Sequence, residues 1–157
     1  MRSGLYIVAT PIGNLEDITL RAINILKKSD VILCENTKHS LKLLRHFDIR
    51  DAKIEKYTDH DFNKKHIQIE ELIKSDKIVS LISDAGSPII SDPGSNLVKY
   101  LFDNDCHIES IPGPSSIISA MQLSGFYNAY PTIFLGFLPK KIEQKKKYFK
   151  NITYSNV

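Results

Sequence analysis

Five short strand-like runs, four of them apolar or part-apolar and the third weaker, each closed by a turn-forming loop and followed by residues at helical spacing, constrain this chain more than any other feature. The runs occupy residues 5–9, 31–34, 53–57, 78–82 and 106–111. Behind them come Ile18, Ala22, Ile25 and Leu26; then Leu41, Leu43, Leu44 and Phe47; then Ile69, Leu72 and Ile73. Leu97, Val98, Leu101 and Phe102 follow the fourth run, and Ile117, Ile118 and Met121 the fifth. Alternation of this kind predicts an α/β fold, an open and mostly parallel five-stranded sheet with flanking helices. Local punctuation agrees with it. Thr37 stands near a helix start, Asp92-Pro93 reads as an acidic N-cap with proline in the first turn, and Gly125 reads as a helix stop.

The pattern stops after residue 127. Residues 132–138 read as one more strand, followed by Pro139 and a lysine-rich helix. We therefore expect an N-terminal α/β domain over 1–127 and the first elements of a second α/β domain over 128–157, too few to bury a core alone. The charge is uneven in the same way. From residue 140 onward six lysines oppose Glu143 alone, a local +5, whereas the preceding 139 residues hold 15 basic and 17 acidic groups. The domain as a whole is thus not a basic nucleic-acid binder, and the lysine run is either a solvated helix face or a phosphate contact.

Other classes recede. No run approaches the roughly 18 apolar residues of a membrane span, so no membrane partner is expected. Cys34 and Cys106 have no partner motif and read as small hydrophobes in a reducing cytoplasm, where the chain is placed. His60 and His66, with Asp59 and Asp61, read as a polar loop rather than a metal set, and no metal is expected. There is no G-x-x-x-x-G-K-[ST], no G-x-G-x-x-G after the first strand and no G-x-S-x-G elbow. What remains unusual is three loops on the sheet edge where α/β proteins bind ligands: residues 10–14, 83–94 and 112–116. Each combines Gly or Pro with hydroxyl or carboxyl groups, and that composition lets backbone groups approach a polar ligand.

These loops resemble the tetrapyrrole methylase superfamily. Leu5-Tyr6-Ile7-Val8-Ala9-Thr10-Pro11-Ile12-Gly13-Asn14 is similar to its opening. Cys34-Glu35-Asn36-Thr37-Lys38-His39-Ser40, then Ser83-Asp84-Ala85-Gly86-Ser87-Pro88 with Ser91-Asp92-Pro93-Gly94, and Pro112-Gly113-Pro114-Ser115-Ser116 follow in the order of its ribosomal RNA branch. Gly136-Phe137-Leu138-Pro139 is similar to the start of that family's second domain. The resemblance implies methyl transfer from S-adenosylmethionine to the ribose 2′-hydroxyl of a cytidine in small-subunit ribosomal RNA, with the 30S subunit as partner and a homodimer as the full-length state. A porphyrin-precursor methylase on the same scaffold is the alternative enzyme. A non-catalytic remnant that dimerises or binds ribonucleoprotein is the alternative of another class.

Carried over residue by residue, the resemblance places Pro11, Asp84, Ser87, Ser115 and Ser116 against the cofactor. Lys38 becomes a phosphate contact. A ribose hydroxyl profits from a base, and Glu35 and His39 are the candidates. Asp84 read alone is equally a turn-stabilising residue, Glu35 a helix-start acid and His39 a surface polar group. Two departures stand out. Asn36 and Lys38 replace an acidic residue and an arginine of the branch, and lysine keeps the charge while losing bidentate geometry. Only the beginning of the second domain is present, so the chain is expected to be a fragment or a truncated relative with a half-open site.

Overall fold

The computed structural model describes residues 1–125 and 132–155 of the chain, the last five of these by backbone alone. Two compact units divide it, Met1–Phe126 and Tyr127–Val157. The first holds a five-stranded sheet of β1 (Gly4–Val8), β2 (Val31–Cys34), β3 (Lys53–Lys56), β4 (Ile78–Ile82) and β5 (Ile108–Ile111). Every pairing is parallel and the order is β3-β2-β4-β1-β5. The last strand begins two residues later than its apolar pattern: Cys106 and His107 precede it.

The helices are α1 (Leu20–Lys28), α2 (Thr37–His46), α3 (Phe62–Lys74), α4 (Ser95–Asp103) and α5 (Ser116–Ser124). Parallel crossovers are right-handed. Connections that run outward to β2 and β3 therefore lay α1 and α2 on one face, and those that return to β4 and β5 lay α3 and α4 on the other. Two apolar cores record this. One joins Ala22, Ile25, Leu26 and Leu44 to Tyr6, Val8, Ile32 and Ile82. The other joins Ile69, Ile73, Leu97 and Leu101 to Leu5, Val31, Leu33 and Val79. Helix α5 has no buried residue, and Ile118, Met121 and Leu123 are exposed.

Caps set the helix ends. Thr19 accepts from the Ala22 amide at 3.0 Å, and Asn36, rather than Thr37, caps α2 by accepting from the His39 amide at 3.2 Å. Gly125 closes α5 in the left-handed conformation expected of it. The Asp92-Pro93 expectation fails. Helix α4 starts at Ser95, behind Gly94, whose amide donates to Asp59 Oδ1 at 3.0 Å from the far side of β3. The loop displaces the start because Ser91 (φ 68°) turns the chain and Gly94 (φ 126°) lies flat on Leu81. The strand expected at 132–138 is also absent: that segment is irregular, and Tyr148 donates to the Leu135 carbonyl at 3.4 Å from α6 (Ile142–Ser155). A strand needs a neighbour's backbone groups, and the described residues of the second unit contain none. No described helix is long and apolar enough to cross a membrane.

Gly94 offers a direct check of this packing. A Cβ there would stand 2.6 Å from Leu81 Cδ2 in a conformation that L-residues avoid. Gly94→Ala should cost about 2 kcal/mol in urea unfolding, through strain and overpacking together. An unchanged midpoint would show that the loop moves freely away from β4.

Candidate functional site

The site grows out of β4. Its neighbours β1 and β2 send their chains to the α1/α2 face, whereas β4 sends its chain to the α3/α4 face. Adjacent strands whose connections part in this way leave a crevice at their carboxyl ends, which is where open α/β sheets bind ligands. Because β4 stands between two such neighbours, a crevice opens on each side of it, and residues 83–94 form the ridge between them.

On the β1 side the ridge is stitched down. The Thr10 amide donates to the Gly86 carbonyl at 2.8 Å and the Gly86 amide returns the bond at 3.0 Å. Thr10 Oγ1 donates to the Ser83 carbonyl at 3.1 Å. Ser87 Oγ donates to the Pro114 carbonyl at 3.3 Å, which ties in the loop after β5. Gly113 passes so close to β1 that a Cβ would meet the Ala9 Cβ at 3.0 Å. Pro11, next to Thr10, is buried. Ser115 caps α5 without a side-chain hydrogen bond, and Ser116 opens that helix, exposed. Pro11, Ser87, Ser115 and Ser116 thus share the β1/β5 side.

On the β2 side lies an open cleft of about 400 Å³, lined by Glu35, Asn36, Thr37, Lys38, Lys56, Thr58 and Asp84. Glu35 and Lys38 follow β2 and the start of α2, and Asp84 descends from the ridge. His39 lies on α2, exposed, and is not among the lining residues. In sequence Asn36 and Thr37 fall within the second motif without being assigned to the site, and neither Lys56 nor Thr58 is singled out. Lys56 ends the weakest of the strands and Thr58 follows it, yet the rule that directs attention to strand carboxyl ends applies to β3 as much as to the others.

Electrostatics marks the ridge as acidic. Asp84 Oδ1 is buried and has no hydrogen-bond partner among the described residues. Burial, and then the charges of Glu35 and Asp84, push the Asp92 carboxyl above the usual aspartate range. The Cys34 thiol is pushed up by burial, with Asp84 adding to it, so Cys34 is no thiolate nucleophile. Tyr57, between Lys56 and Thr58, points into the opposite core; burial, helped by Asp59 and Asp61, pushes its hydroxyl up to about 12. Backbone strain gathers here too: Ile89 holds φ 76°, unusual for a β-branched residue. Among the described residues no cluster of His, Cys, Asp and Glu is arranged to hold a metal.

Comparison with known proteins defines the class. A sequence model described as "Tetrapyrrole (Corrin/Porphyrin) Methylases" matches residues 4–148. The chain belongs to that family. It is 54% identical over 155 residues to a "Ribosomal RNA small subunit methyltransferase I" of Rickettsia prowazekii, covering 97% of this chain and 54% of that protein. It is 44% identical to the protein of the same description from Mesomycoplasma conjunctivae, covering 92% of this chain and 60% of that one. The chain thus spans little more than half the length of these relatives. Among solved structures, uroporphyrin-III-C-methyltransferase of Thermus thermophilus superposes with a TM-score of 0.59 at 20% identity, over 79% of this chain and 54% of that one. A structure of that enzyme complexed with S-adenosylhomocysteine gives 0.55 at 22%, over 85% and 57%.

The acidic ridge predicts a pH signature. The native carboxyl of Asp92 holds its proton more tightly than the unfolded one. Its contribution to stability is therefore lost as pH rises from the ordinary aspartate value of 3.8 through the raised native value. Asp92→Asn should stabilise the chain at neutral pH by less than about 1 kcal/mol, given partial solvent screening, and by nothing in acid where Asp92 is already protonated. Paired thermal melts at the two pH values test this, and a gain that persists in acid would overturn it.

Proposed function

We propose that this chain is the S-adenosylmethionine-binding part of an enzyme that methylates the ribose 2′-hydroxyl of a cytidine in small-subunit ribosomal RNA. The observation that carries the reading is Asp84: a buried carboxylate oxygen without a partner among the described residues, on the ridge between two ligand crevices. Such an oxygen calls for a cationic or hydrogen-bond-donating ligand. The names carried by the relatives support methyl transfer to ribosomal RNA. The relatives' extra length supports a whole enzyme larger than this chain. Its homodimeric state and its cytoplasmic location rest on the family resemblance alone.

The chain's own residues fit the cofactor. Pro11, Ser87, Ser115 and Ser116 would hold it on the β1/β5 side, where close-packed glycine and proline loops leave backbone groups accessible, and Asp84 would face it from the ridge. When bound, S-adenosylmethionine supplies an electrophilic methyl group carried on a sulfonium. Lys38 would contact RNA phosphate on the β2 side. Of the two base candidates, Glu35 lines the cleft and His39 does not, so Glu35 would accept the proton leaving the 2′-hydroxyl. Positioning the hydroxyl in line with the methyl group supplies much of the rate in such a displacement.

The test titrates the chain with S-adenosylmethionine and compares Asp84→Ala. The variant should keep or raise the melting temperature, because it removes an unpaired buried oxygen, while its affinity falls at least about tenfold, or 1.4 kcal/mol. Equal affinities would remove Asp84 from the site. The substrate is tested by transfer of labelled methyl groups from S-adenosylmethionine to 30S subunits in the presence of the chain. Label that survives alkaline hydrolysis in a 2′-O-methylcytidine dinucleotide supports the reading, and label on a base or on no RNA overturns it.

A further inference from the structure

The lining of the β2-side cleft carries charge of both signs. The carboxylates of Glu35 and Asp84 follow the inner strands β2 and β4, and the ammonium groups of Lys38 and Lys56 come from α2 and the edge strand β3. Lys56 faces the α2 side by the alternation of the strand: Ile54, two residues back, packs in the α1/α2 core, and Tyr57, one residue on, packs in the other. Its backbone is held on both sides. Lys65 Nζ donates to the Lys56 carbonyl at 2.7 Å, and the Tyr57 amide donates to the Cys34 carbonyl at 2.8 Å.

The surrounding charges leave Lys56 uncompensated. Lys53 and Lys65 both pair with Glu55, at 2.7 and 3.4 Å, so the carboxylate nearest on β3 is taken. Asp61 feels Lys56 only at longer range, and its carboxylate is already engaged by the amide and hydroxyl of Thr58, at 2.9 and 2.7 Å. Neither Lys38 nor Lys56 takes part in an ion pair among the described residues. Two free ammonium groups from separate elements, beside the Thr37 hydroxyl, match the chemistry of a phosphodiester.

We propose that Lys56 is a second phosphate-gripping residue of the RNA site, acting with Lys38 at the edge-strand side of the cleft. The inference rests on the RNA-methylation reading and adds a polarity to it. A phosphate is repelled by the two carboxylates and drawn to the two lysines, so the nucleotide enters with its phosphate toward β3 and its ribose hydroxyls toward Glu35 and Asp84.

The experiment measures binding of a fluorescent single-stranded RNA oligonucleotide to the chain over a series of salt concentrations. Wild type is compared with Lys56→Gln, Lys56→Arg and, as a control for loss of any surface charge, Lys27→Gln on α1. Removal of one phosphate contact should flatten the slope of log affinity against log salt by about 0.7. We expect Lys56→Gln to show this change with a severalfold loss of affinity, Lys56→Arg to restore both, and S-adenosylmethionine affinity to stay unchanged in Lys56→Gln. If wild type binds the RNA and Lys56→Gln behaves like wild type or like Lys27→Gln, the assignment falls and the RNA reading stands. If wild type binds no RNA at about 0.1 M salt, both fall together.

Discussion

The placement of β4 between β1 and β2 is the constraint on which the rest of this structure depends. A right-handed crossover decides which face a helix occupies, and two outward steps followed by two return steps force the faces to change at β4. The change occurs on both flanks of one strand, so one loop borders two crevices. That loop cannot be an ordinary turn. It must cross from the carboxyl end of β4 to the α3/α4 face while remaining bridged to Thr10 through Gly86 and capped from outside by Asp59. The left-handed Ile89 and Ser91 are the conformational cost of meeting these fixed ends, about 1–3 kcal/mol each.

The two crevices differ in kind, and the difference follows from what lines them. On the β1/β5 side the walls are backbone: a buried proline, a glycine that a methyl group would crowd, and serines at a helix start. Such a surface suits a compact ligand with its own donors and acceptors. On the β2/β3 side the walls are side chains with ammonium and carboxylate ends, open to solvent. That arrangement suits a charged polymer approaching from outside. Asp84 and Asp92 belong to the ridge between them, so a ligand on either side alters the field felt by the other. On the proposed reading, cofactor and RNA binding would be coupled through charge, without any movement of the sheet.

Legibility in the sequence followed burial. The strands buried on both faces announced themselves as unbroken apolar runs, and β2 and β4 have the bounds their sequences predict. The helix stripes were equally plain, since Ala22, Ile25 and Leu26 or Leu97 and Leu101 face a core. Local rules failed where tertiary contacts decided the outcome. Asp92-Pro93 carries every sign of a helix start, yet Gly94 is the N-cap of α4, and its amide is held by Asp59, 35 residues away. Residues 132–138 have strand composition but no strand to pair with among the described residues of their unit. Lys56 stayed hidden because an edge strand of sequence KIEK offers no apolar signal, and its importance comes from what stands beside it.

The same reasoning bears on why an uncompensated acidic ridge persists. Burial raises the free energy of an unpaired carboxylate, and a like charge nearby raises it further. A chain optimised for stability alone would place asparagine or serine at positions 84 and 92. The Thr10–Gly86 bridge and the packing of Gly94 on Leu81 anchor the loop at two points, while both carboxylates stay partly exposed. On the proposed reading, a positively charged ligand would relieve the repulsion between Asp84 and Asp92. The strained Ile89 lies between these two carboxylates on the same loop, so backbone geometry and charge are set together there.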